Sequence, residues 1–172
     1  MDEGAPLGVA TTRSMERVAA AVGLLREAPI EFEPVADVPL GGVLCALPAL
    51  LGFGLLRHTR ENFTLPPGFY PIETIFLVVA CLALARIRSL EALRYQAPGE
   101  WGKLLGLDRV PEVKTLREKL GILCADPERA RAWSSTLARD WMEATPESAG
   151  TLYIDGHVRV YHGALTRLPR RY

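Results

Sequence analysis

The chain is poor in the residues that build the commonest catalytic and stabilising devices. Only three of its 172 residues are cysteine, namely Cys45, Cys81 and Cys124, spaced 36 and 43 apart. No Cys-x-x-Cys pair exists, so neither a zinc site nor a redox dithiol is indicated. Each cysteine sits in an apolar run, where a thiol behaves as a small hydrophobe. Histidine is equally scarce: His58, His157 and His162 are scattered. Neither a Gly-x-Ser-x-Gly elbow nor a phosphate-loop pattern occurs. The first fifteen residues lack the basic patch and apolar stretch of a secretory signal, so a cytoplasmic setting is expected. Net charge is missing too, since 20 Lys and Arg balance 20 Asp and Glu.

That zero conceals segregation. Residues 1–37 hold 3 basic and 7 acidic side chains, a balance of −4, whereas residues 86–139 hold 11 and 7, a balance of +4. In residues 151–172, Arg159, Arg167, Arg170 and Arg171 face Asp155 alone. A polyanion would meet the second half of the chain and be repelled by the first.

Long hydrophobic runs are present, and they raise the question of a membrane. Val38 to Leu56 is 19 residues without a charge, enough to span a bilayer, while Thr74 to Ala85 is only 12. The first run contains Pro39, Pro48 and four glycines, which weaken a helix and invite a kink near Pro48. A two-span hairpin would put the basic groups after each run, Arg57 with Arg60 and Arg86 with Arg88 and Arg94, on opposite sides. The favoured reading is two apolar helices, near 40–57 and 70–88, packed together beneath amphipathic ones. A single span at 38–56 is the membrane alternative.

Helix signals punctuate the rest. Met15, Val18, Val22 and Leu25 recur at helical spacing and predict a helix over 14–28 that ends at Pro29. Residues 89–95 extend the second apolar helix or form a short helix of their own. At 126–144, Asp126 can cap the first turn, Pro127 suits the first helical position, and Ala130, Trp133, Leu137, Trp141 and Ala144 form one apolar stripe. The tryptophans on that stripe read as core in preference to a stacking platform for bases.

Residues 98–124 have the punctuation of two helices joined by a tight turn. Gly106 suits the C-terminal cap of the first and Pro111 the first position of the second. Val113, Leu116, Leu120 and Leu123 then fall on one side of the second helix. Lys114, Thr115, Glu118 and Lys119 lie on the opposite arc, with Arg117 at the edge of the buried face. Such a pair can place its second helix in a DNA major groove, or it can be an ordinary helical hairpin with a solvated face.

The terminal stretch 151–172 alternates apolar and polar residues at the period of a strand. Leu152, Ile154, Val158 and Val160 share one face; Asp155, His157, Arg159 and Tyr161 share the other. Asp155-Gly156 between two apolar runs is also a strong signal for a two-residue hairpin turn. Asp155 is therefore either a turn residue or a mid-strand oxygen ligand for a divalent cation.

GLDRVPEVKTLREKL at 106–120, followed by LYIDGHVRVYHG and the basic LTRLPRRY, resembles the N-terminal part of a DDE-type bacterial insertion-sequence transposase. The resemblance covers residues 40–172 and implies a helical DNA-binding region ahead of a ribonuclease-H-like catalytic domain. It implies that Asp155 is the first catalytic acidic residue and a Mg²⁺ ligand. It also implies that Arg109, Lys114, Thr115, Arg117 and Lys119 face DNA. No acidic residue follows Asp155, so the other carboxylates of that triad are missing, and a catalytically incomplete transposase fragment is expected.

The fold expected is mainly α: a helical bundle with a helix-turn-helix-like segment, then the isolated first strand of an incomplete ribonuclease-H-like α/β domain. Its parts are an acidic N-terminal helix and connector (1–37), an apolar helical core (38–97), a DNA-binding region with its following helix (98–145) and the start of a catalytic domain (151–172). DNA is the expected partner and a homo-oligomer is possible. The competing function is a helical interaction module without chemistry.

Overall fold

The computed structural model describes residues 14–28, 31–32, 34–35 and 37–147. Within them the chain is mainly helical, and no strand occurs among the described residues. The strand expected at 151–172, with Asp155 and His157, lies outside them.

The centre of the molecule is α4, Ile72–Leu84, the second of the two apolar runs. Ile72, Thr74, Ile75, Leu77, Val78, Cys81 and Leu82 are all buried on it. At ~1.5 Å per residue its 13 residues span only about 20 Å, against roughly 30 Å of bilayer hydrocarbon. No described helix is long and apolar enough to cross a membrane. α4 packs against α3 (Thr59–Asn62), α5 (Pro98–Leu105) and α6 (Val113–Leu123). Trp101, Leu104 and Leu105 of α5 and Val113, Leu116 and Leu123 of α6 complete one core with Leu93, Leu107 and Val110.

The first apolar run is not the second core helix that its composition suggests. It breaks into a 3-10 helix, Gly41–Ala46, and a short α2, Leu47–Gly52, neither of which buries a residue fully. Pro48 has no N–H for the Leu44 carbonyl, which instead accepts from Leu47 in a 3-10 pattern. Leu40 and His58 adopt left-handed backbone at φ 58° and 61° and close off the run at either end. Leu51 and Phe53 are left exposed, Phe53 by 65%.

The N-terminal helix is shorter than its periodicity suggests and turned the other way. α1 covers Ser14–Ala21 and stops at Gly23, whose φ of 77° only glycine adopts cheaply. Leu24 N–H bonds to the Ala19 carbonyl and Gly23 N–H to Ala20, the pattern of a Schellman stop. Of the expected inward stripe, Met15, Val18 and Val22 are exposed and Leu25, beyond the helix end, is partly buried against the core, while Arg17 faces the body of the protein. Polar contacts made by Arg17, described below, outweigh an apolar stripe too short to bury much area.

The last helix matches its signals. α7, Pro127–Ala144, starts at Asp126, whose Oδ1 accepts from Glu128 N–H at 3.0 Å. Its buried Leu137 and partly buried Trp133 hold it to the body, Trp133 meeting the Phe63 and Phe76 rings at 6.2 and 5.4 Å. Both indole N–H groups bond to the 53–58 turn: Trp133 to the Arg57 carbonyl and Trp141 to Phe53, each at 2.8 Å. Trp133 is thus core-anchored as expected, whereas Trp141 stays half exposed.

Candidate nucleic-acid interface

The helical pair at 98–124 exists, with Gly106 in the left-handed conformation at the end of α5. The expected start of α6 at Pro111 is corrected: α6 begins at Val113, and Pro111 is fully buried in the linker. The linker 106–112 is therefore longer than the three or four residues usual in a helix-turn-helix. It folds back along α5, with Leu107 N–H bonded to the Gly102 carbonyl and Val110 N–H to Pro98. Gly102 makes this possible. A Cβ there would lie 2.5 Å from the Leu107 carbonyl oxygen and 2.8 Å from the Asp108 carbonyl carbon.

This folding-back creates a groove of about 390 Å³ between the linker, the start of α6 and a 3-10 helix, Leu90–Tyr95. Its floor is apolar, from Leu93, Pro98, Val110 and Val113. Around it stand three cations, Arg94, Arg109 and Lys114, together with Gln96 and one acid, Glu112. Ser89 fixes the start of the 3-10 helix by accepting from Ala92 N–H at 3.3 Å. Gln96 is oriented by the buried Trp101, whose indole N–H donates to Oε1 at 3.4 Å. Among the described residues no carboxylate pairs with Arg109 or Lys114. Arg94 lies 3.4 Å from Glu91.

The remaining expected DNA-facing residues are placed differently from one another. Thr115 is half-buried on α6. Arg117 is ion-paired with Glu91 of the 3-10 helix, so its charge is already partly answered. Lys119 is half-buried, and desolvation pulls its ammonium below the ordinary lysine range. Of the five expected residues the groove thus brings Arg109 and Lys114 together. It adds Arg94 and Gln96, which no helix-turn-helix reading of 98–124 could include because they precede it. The only signal for them was the basic excess of 86–139. Asp155, the expected catalytic and metal-binding residue, lies outside the described residues.

A second polar cluster joins α7 to the turn before α3. His58 Nε2 lies 3.0 Å from Asp140 Oδ2 and Nδ1 lies 2.9 Å from Glu61. Arg57 donates to the same Asp140 oxygen at 3.0 Å. Hydrogen bonding to Asp140, and then to Glu61, raises the His58 pKa above its ordinary value, and bonding to Arg57 and His58 lowers that of Asp140. Of the cysteines, Cys81 is buried and its thiol is pushed up to about 11, whereas Cys45 and Cys124 are exposed, contrary to the buried role expected of all three.

A family model described as a transposase protein matches residues 8–172. The chain belongs to that transposase family. No curated protein and no solved structure matches it. A transposase acts on DNA, a polyanion, and three cations, Arg94, Arg109 and Lys114, line this groove beside one acid, Glu112. The matched region starts well ahead of residue 40, so it takes in α1 and the acidic connector as well as the helices after them.

Proposed function

We propose that this transposase chain binds DNA through the groove between the Leu90–Tyr95 turn, the 106–112 linker and the start of α6. Arg109 and Lys114 contact backbone phosphates, Arg94 supplies a third charge, and Thr115 on the adjoining face of α6 reaches sugar or base edges. The observation that carries this reading is the convergence of three cations on one cleft, two of them without a described carboxylate partner. Phosphate contacts of this kind set register and affinity, and base contacts from the helix add sequence preference. The helix-turn-helix-like arrangement enters here as a variant with a long, folded-back linker. Arg117 and Lys119 are secondary, because one is paired and the other partly desolvated.

The resemblance to DDE-type transposases supports a Mg²⁺-dependent catalytic step with Asp155 as one ligand. Two-metal phosphoryl transfer needs several carboxylates, of which Asp155 is the one assigned here. Among the described residues no group of three or more His, Cys, Asp or Glu side chains is placed to hold a metal ion. The role proposed for the helical body is DNA recognition, carried by the cations of the groove.

The test is fluorescence anisotropy of a labelled duplex titrated with the full chain at several salt concentrations. Affinity should fall linearly on a log–log plot as salt rises, and R109A or K114A should each weaken binding and reduce the slope by about one. Binding that ignores both substitutions, or that does not respond to salt, rules the groove out.

A further inference from the structure

Arg109 is followed through its backbone to a residue far away in sequence. Its N–H donates to Asp108 Oδ1 at 2.9 Å, and its carbonyl accepts from the Tyr70 hydroxyl at 3.2 Å. Both partners are held by Arg17 of α1, 91 positions before Asp108. Arg17 Nε donates to Asp108 Oδ2 at 2.5 Å, and Nη2 donates to Oδ1 at 2.5 Å and to the Tyr70 hydroxyl at 3.0 Å. The guanidinium also lies 3.9 Å from the centre of the Phe69 ring, which packs edge-on against Tyr70. Arg17 and Asp108 side chains are only 21% and 16% exposed, so water competes weakly for them.

Two consequences follow for the groove. The two-pronged contact uses both oxygens of the carboxylate that is adjacent in sequence to Arg109, the geometry at which arginine excels. With both oxygens engaged by Arg17, that carboxylate is withheld from the neighbouring Arg109 guanidinium. The Tyr70 hydroxyl, accepting from Arg17 and donating to the Arg109 carbonyl, meanwhile pins the backbone from which the Arg109 side chain projects. Burial pushes the Tyr70 phenol upward, which keeps it a donor. A cation on a pinned loop loses less conformational freedom when it meets a phosphate.

We propose that Arg17 is a positioning residue for DNA binding: by engaging Asp108 and Tyr70 it keeps the Arg109 side chain free and correctly placed for phosphate. The inference rests on the DNA-binding reading of the groove. It makes the acidic N-terminal segment, which would itself repel DNA, a working part of the DNA site.

The experiment is the same anisotropy titration with the full chain and duplex DNA, applied to R17A, R17Q, D108N, R109A and the doubles R17A/D108N and R17A/R109A. R17A should weaken binding and lower the salt slope by about one, as R109A does. Neutralising that carboxylate should restore much of the loss, so R17A/D108N should bind more tightly than R17A. In R17A/R109A the loss should not exceed that of R109A alone. R17Q, which keeps a hydrogen-bond donor, gives the same readout if R17A does not fold, as judged by circular dichroism. Should R17A or R17Q bind like the wild type, or D108N deepen the loss, the positioning role is wrong while the groove stands. If R109A itself binds like the wild type, the groove reading falls and this inference with it.

Discussion

Gly102 shows how one residue can govern a site it does not line. Its missing Cβ lets the 107–109 backbone lie directly against α5, and that backbone carries Arg109 into the groove. The obstructing atoms are backbone, which cannot rotate away. G102A should therefore destabilise the protein by about 1–3 kcal/mol, the usual range for overpacking, as measured by urea denaturation. It should also weaken DNA binding in those molecules that remain folded. A variant as stable as the wild type would mean that the linker shifts freely, and that its register against α5 is unimportant. The glycine was visible in the sequence, but its role was not. Nothing local distinguishes it from the helix-weakening glycines at 41 and 42, which have open space or ordinary contact around them.

At the scale of elements, α7 and the turn before α3 form a polar latch with a defined pH response. His58 has a folded pKa above its ordinary 6.5, so its contribution is fully present below that value and is lost as pH rises through the higher folded pKa. Asp140 has a folded pKa below its ordinary 3.8, so its contribution is present above that value and is lost as pH falls through the lower one. The attachment of α7 should be firmest between those limits. Tryptophan fluorescence of a W101F variant, which reports on Trp133 and Trp141 alone, should show α7 loosening on the alkaline side with His58 in place and much less so with H58N added. Asparagine suits the test because it tolerates the left-handed backbone at position 58. Identical pH profiles for the two proteins would remove the latch from consideration. The helix itself was legible in advance: Asp126, Pro127 and the 130–144 stripe announce its start and its inward face. The latch was not, since His58 and Asp140 are 82 positions apart.

The described part of the molecule is organised by α4, against which α3, α5 and α6 all pack. Leu116 of α6 is completely buried in that shared core. L116A should cost about 2–5 kcal/mol. Because one core serves the helices around α4, the loss should appear as a single shifted transition in circular dichroism and denaturation, not as separate melting of α6. A biphasic curve would argue that the groove region folds independently of α4. The mainly helical class, the caps at Gly106 and Asp126, and the buried face of α6 follow from sequence alone, because propensity, capping and 3.6-residue periodicity act within a few turns of chain. The transposase resemblance was legible for the same reason, being carried by contiguous motifs. The break of the 38–56 run near Pro48 was marked in the sequence. Tertiary structure alone decided that α1 would turn its arginine inward and that Arg117 would pair with Glu91. It also brought Arg94, Arg109 and Lys114 to one cleft. Those outcomes depend on which distant groups α4 holds within a few ångströms of one another, and side-chain pairing over such separations leaves no periodic trace in the chain.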